Sequence, residues 1–94
     1  MNKHIGSGLD DFLAEEGILA EAQAHAIKRM LVWQIEKYMK ANNVTKTALA
    51  GQLKTSRAGV DRLLDENNLS VTLSSLVKVA EVTGKRLQLR FSNP

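Results

Sequence analysis

Two guanidinium groups and one carboxylate fall together within residues 55–64, at Arg57, Asp61 and Arg62, with Ser56 and Ala58 beside them. These groups suit recognition better than turnover. A guanidinium can pair bidentately with the O6/N7 edge of guanine or grip a phosphate. A carboxylate four residues on can accept from a cytosine N4 or hold an arginine in place. Catalytic groupings are missing from the rest of the chain. His4 and His25 lie far apart with no third nitrogen or sulfur ligand near either, so no metal site is expected. No serine sits in a nucleophile-elbow context, and no glycine-rich phosphate loop occurs, since Gly51 and Gly59 are isolated within helical patterns. An enzyme is therefore not expected, nor is a cofactor.

The elements that must position these side chains come from a chain of 94 residues, 44% hydrophobic and 24% charged, enough for one globular domain and too short for two cores. Cysteine is absent, which fits a reducing interior, and no run of apolar residues is long enough to span a membrane. A cytoplasmic protein is expected. The net charge of +3 is unevenly spread: residues 1–25 hold five acids against Lys3, and residues 26–94 hold twelve bases against five acids. A basic domain preceded by an acidic segment is the pattern of a chain that meets a polyanion.

Gly6, Ser7 and Gly8 read as part of a flexible end, and Asp10 or Asp11 as the start of a single turn closed by Gly17. From Ile18 to about Lys40 the residues are strong helix formers without Gly or Pro, and Ile27, Leu31, Ile35 and Met39 recur on one face as a core stripe. Trp33 stands two positions from that stripe, as a core-edge aromatic or part of an interface, the former being favoured. Asn42 and Asn43 end this helix. Thr45, Ser56 and Thr72 have the chemistry of N-caps for three further helices, the fourth presenting Leu73, Leu76, Val77 and Ala80 and stopped by Gly84. Residues 86–91 alternate polar and apolar with period two, a strand pattern that places Leu87, Leu89 and Phe91 on one side.

The helices after Thr45 and Ser56 have only Lys54 and Thr55 between them, so they must cross steeply. Ala50 is the small residue such a crossing needs, and Leu49, Leu53, Val60 and Leu63 supply the apolar contacts. Ser56, Arg57, Ala58, Asp61 and Arg62 then stay outside, on a short basic helix of the size that fits a major groove. In order and spacing, Leu49-Ala50, the turn, Thr55-Ser56, Val60 and Leu63 resemble the helix-turn-helix of the Cro/CI-type (Xre-like) family, over roughly residues 27–84. The resemblance implies an all-α, four- to five-helix, lambda-repressor-like domain. It places Arg57, Ala58, Asp61 and Arg62 at base edges and Lys46, Thr47, Ser56, Asn67 and Asn68 at phosphates of double-stranded DNA. Lys54 departs from it, standing where the family usually has glycine. In αL it costs on the order of 1 kcal/mol, unless the turn is built differently. With Ser70-Val71-Thr72-Leu73 and the C-terminal strand included, the chain is similar to antitoxins of bacterial toxin–antitoxin modules.

Three segments follow: an acidic one over residues 1–25, a DNA-binding domain over 26–84, and a C-terminal strand over 85–94. The strand is expected to pair with its symmetry mate through Leu87, Leu89 and Phe91 and make a homodimer, or to pair with a segment near Ile5 or with a toxin. The expected function is a sequence-specific regulator that represses its own operon and binds a cognate toxin. Alternatives are a stand-alone repressor and a protein-binding module for which the basic helix is incidental.

Overall fold

A computed structural model describes residues 7–93, with side chains from Gly17 onward except that of Ile18. His4 and the segment near Ile5 lie outside the described residues. The architecture is all-helical: α1 (Ser7–Asn42), α2 (Lys46–Leu53), α3 (Arg57–Leu64) and α4 (Leu73–Val82).

The first helix is longer than the sequence suggests. Gly17 does not close a separate turn, and Ser7 and Gly8 are already helical, so the acidic segment and the core helix are one rod of 36 residues, about 54 Å. A glycine ends a helix where the chain turns left-handed and a carbonyl is capped. Where good helix formers flank it, Gly costs only about 1 kcal/mol and is carried through. The rod ends at Asn43, in the left-handed region at φ 53°, and the Val44 N–H donates to the Met39 carbonyl at 2.9 Å.

The same closure recurs twice. Lys54 is left-handed (φ 57°, ψ 47°); its N–H donates to the Gly51 carbonyl at 3.2 Å and that of Thr55 to Ala50 at 2.9 Å. Gly84 (φ 76°) donates to Glu81 at 3.1 Å and Lys85 to Ala80 at 2.8 Å. Both are Schellman turns, which return the last carbonyls of a helix to partners. The N-termini are capped as their residue types suggest. Thr45 accepts from the Ala48 N–H at 3.1 Å, Ser56 from Gly59 at 2.9 Å and Thr72 from Ser75 at 3.0 Å.

The core comprises Val32 and Ile35 of α1, Leu49, Ala50 and Leu53 of α2, Val60 of α3 and Val79 of α4. Ala50 is buried beside Val60, and Leu63 packs against them half-buried. The α1 stripe is rotated from its expected place. Ile27 is 55% exposed, whereas Lys28 is 2% exposed, with Leu31 and Met39 at the core's edge. On α4, Leu73 and Val77 are exposed, and Val79 is the buried residue with Leu76 and Ala80 half-buried. Trp33, favoured as a core-edge aromatic, is 55% exposed. Each rotation has the same source: apolar residues sit on more than one face, and the contacts made by other elements decide which face is covered.

Residues 85–93, expected as strand, carry no regular secondary structure in the single chain. Period-two alternation sorts side chains to faces, but a strand exists only when a neighbour satisfies its backbone. Leu87 is half-buried, and Leu89 and Phe91 are exposed.

Candidate functional site

The chain around residues 45–62 places its charged groups through two caps and one left-handed residue. The three residues between α2 and α3 include Lys54 in αL, which turns the backbone, and Ser56, which starts α3 at Arg57. Thr55 lies across the first turn of α3. A Cβ at Gly59 would clash with Thr55 Oγ1, so Gly59 leaves the room that the Thr55 side chain occupies. Val60, fully buried, pins the opposite side of α3 to the core. Arg57, Ala58, Asp61 and Arg62 are thereby all exposed on a helix whose inner face is fixed.

Asp61 is the electrostatic hub of this face. Its Oδ1 lies 3.3 Å from Lys46 Nζ at the start of α2 and 3.8 Å from Arg57 Nε one turn back on α3. All three side chains are about half exposed, so each pair contributes at most about 1 kcal/mol of stability. Their effect is one of placement, since Asp61 holds the Lys46 ammonium and the Arg57 guanidinium beside each other at the mouth of the two-helix corner. Thr47 and Ser56 are exposed, Ser56 with its oxygen engaged as a cap.

The loop after α3 is more internally committed than expected. Asp65 Oδ1 accepts from the Asn67 N–H at 3.0 Å, and Asn68 Oδ1 accepts from the Ser70 N–H at 2.9 Å. Lys28 reaches in from α1 and donates to the Asn68 carbonyl at 2.6 Å and to the Arg62 carbonyl at 3.3 Å. Burial holds the Lys28 ammonium below its usual pKa, and the Asp65 carboxylate works the other way. Asn67 stays exposed; Asn68 is half-buried and serves chiefly to shape the loop.

That loop leads into α4, which packs on α2 and leaves between α3 and α4 a cleft that residue types alone do not reveal. Lys54, Arg62 and Lys78 line it together with Thr55, Ser70 and Ser75, over an apolar floor that includes Leu53 and Val79, and no carboxylate lines it. Three cations and several hydroxyls without a competing acid suit an oxyanion such as a phosphate. Lys78 lies on α4 and Lys54 in the turn. Only their shared nearness to Arg62 in the fold marks them as one group.

No cluster of His, Cys, Asp or Glu with metal-binding geometry occurs among the described residues. No helix of the described residues is long and apolar enough to cross a membrane. No protein-family model, curated protein or solved structure matches the chain.

Proposed function

We propose that the protein is a sequence-specific DNA-binding regulator of the helix-turn-helix type, acting as a dimer on an operator of its own operon. The observation that supports it most is the exposed outer face of α3, where Arg57 and Arg62 project from a helix anchored on its other side by Val60. Lys46, Lys54 and Lys78 surround that face from three other segments. In this reading Arg57, Ala58, Asp61 and Arg62 face base edges in the major groove, and Lys46, Thr47, Ser56 and Asn67 position the backbone. Lys54 and Lys78 add phosphate contacts through the cleft. A dimer through Leu87, Leu89 and Phe91 places the two copies on half-sites about 34–36 Å apart.

Fluorescence anisotropy with duplex DNA from upstream of the gene, across a salt series, tests the reading. Arg57→Ala is expected to weaken the specific site by about 1–3 kcal/mol and to flatten the preference over scrambled DNA. Lys46→Ala is expected to weaken both DNAs alike and to lower the salt slope by about 1. Equal losses on both DNAs for the two variants would remove Arg57 from base readout. No salt-dependent binding at all would end the DNA reading.

An antitoxin role is the more specific form of this proposal. The support is the resemblance of the chain to such proteins and the five acids of its first 25 residues, a charge suited to a basic partner. Co-expression with the product of the adjacent reading frame and purification of a stable complex tests it; a neighbour that never co-purifies leaves a stand-alone repressor.

A further inference from the structure

The first helix carries a second apolar stripe that the other described residues leave largely exposed. Leu19, Met30 and Trp33 are 63%, 64% and 55% exposed, and they lie on the side of α1 opposite the core-facing Lys28, Val32 and Ile35. With the exposed Gln23 and Ala26, the stripe runs 19, 23, 26, 30, 33, alternating steps of four and three. This is the spacing of a coiled-coil seam, and the middle of α1 is rich in small residues, with alanine at 20, 22, 24 and 26. Among the residues whose side chains are described, full burial in α1 starts at Lys28, and the exposed stretch before it is shorter than an isolated helix needs to be stable in water.

We propose that the occupant of this stripe is a second copy of α1, running antiparallel. The charges along the rod choose both partner and direction. Its first half carries Asp10, Asp11, Glu15, Glu16 and Glu21 with no lysine or arginine, and its second half carries Arg29, Lys37 and Lys40 on exposed positions with Glu36 as the one acid. A parallel pair sets Asp11, Glu15 and Glu16, the acids nearest the seam, beside their own copies, Asp10 and Glu21 falling on the other side of the rod. An antiparallel pair lays each acidic half along the other copy's basic half, and the seam then matches Leu19 with the partner's Met30 and Gln23 with the partner's Ala26. Lys37, whose ammonium sits 4.9 Å above the Trp33 ring, closes the apolar stripe at the end where the partner's acids arrive. The core packs on the far side of α1 from the seam, at Lys28, Val32 and Ile35, while Glu66, Lys46 and Leu64 flank the stripe in shallow grooves beside Met30 and Trp33.

The assignment rests on neither DNA binding nor the C-terminal residues, and it is tested without DNA. Since the chain has no cysteine, Gln23→Cys with Ala26→Cys is expected to oxidise to a covalent dimer under mild conditions. Leu19→Cys alone is expected to stay monomeric on a non-reducing gel, because antiparallel pairing keeps the two copies of residue 19 apart. In a Phe91→Asp background, which removes the C-terminal contact, Met30→Lys, at an exposed position and with an unchanged circular dichroism spectrum, is expected to raise the dimer dissociation constant in sedimentation by about tenfold or more. Phe91→Asp is expected to leave the Gln23/Ala26 cross-link intact. A covalent dimer from Leu19→Cys, none from the double variant, loss of the cross-link in Phe91→Asp, or dimerisation indifferent to Met30→Lys would each overturn the proposal.

Discussion

Replacing Lys28 by methionine keeps the length and the apolar stem of the side chain and removes only its ammonium. In the folded protein that ammonium donates to the carbonyls of Asn68 and Arg62, at 2.6 and 3.3 Å, and ties α1 to the end of α3 and the loop beyond it. A hydrogen bond from a charged donor contributes about 1.5–3 kcal/mol, and a buried carbonyl left without its partner costs a similar amount. Set against this is the desolvation of the ammonium, which Lys28→Met relieves. Because the Arg62 bond is long and the Asn68 bond short, about one strong bond is lost net, and Lys28→Met is expected to destabilise the protein by about 2–3 kcal/mol. For a domain of this size that lowers the melting temperature by about 10–20 °C. Urea titration of the helical circular dichroism signal measures it, and amide exchange should rise first in residues 65–70. The pH dependence gives a second reading. Burial lowers the Lys28 pKa in the folded state. Below that lowered value both states hold the proton and the term is flat. Between it and the usual value near 10.5 the unfolded chain holds a proton that the native state has released. Stability relative to Lys28→Met therefore rises with pH across that alkaline window. A Lys28→Met protein as stable as the parent would show that desolvation outweighs the two carbonyl bonds and refute the role assigned to Lys28.

Three further substitutions probe the backbone and the core. Lys54→Gly, at φ 57° in the turn between α2 and α3, should stabilise by about 0.5–1 kcal/mol in urea titration, and a loss would mean that the lysine side chain does more than occupy the turn. Gly51 and Gly59 should respond oppositely to alanine, since nothing lies within 4 Å of a Cβ at Gly51 whereas one at Gly59 would clash with Thr55 Oγ1. Gly51→Ala gains about 0.5–1 kcal/mol, and Gly59→Ala loses stability unless Thr55 is also trimmed, which a double-mutant cycle with Thr55→Ala detects. Gln34 buries its Oε1 without a hydrogen-bond partner, so Gln34→Met should raise the melting temperature by several degrees, equivalent to about 1 kcal/mol, in differential scanning calorimetry.

The helix ends were legible in the sequence and the helix faces were not. Thr45, Ser56 and Thr72 cap where their side-chain chemistry says they should, and Asn43 and Gly84 stop helices because both tolerate the left-handed region. These events involve a few consecutive residues, so local sequence contains the information. Which side of α1 is buried depends on α3 and the loop after it. Ile27 and Lys28 are neighbours whose hydrophobicities argue for the reverse of what occurs, because the Asn68 and Arg62 carbonyls offer the ammonium a partner that sequence reading could not place. Gly17 misled for a related reason: a stop glycine and a tolerated one differ only in what the next residues do.

For the candidate site the division is similar. Arg57, Asp61 and Arg62 are visible as a group because they share one helix, and the i,i+4 spacing of Arg57 and Asp61 makes their pairing foreseeable. Lys46 reaches the same carboxylate from another helix, and Lys54 and Lys78 join Arg62 only because α3 and α4 both pack on α2 and line one cleft at its end. This placement bears on what Asp61 can do. A carboxylate beside two cations lowers their attraction for any phosphate and, by holding them, fixes the direction in which they point. Nonspecific attraction falls while directional contact is kept, which is the balance a binder needs if it is to tell one anionic surface from another. The same pairs also support the corner itself, by at most about 1 kcal/mol each. Under the proposed DNA reading, Asp61→Asn should free Lys46 and Arg57, raising affinity for scrambled DNA more than for the specific site in the same anisotropy assay; equal changes on both would deny Asp61 a part in selectivity.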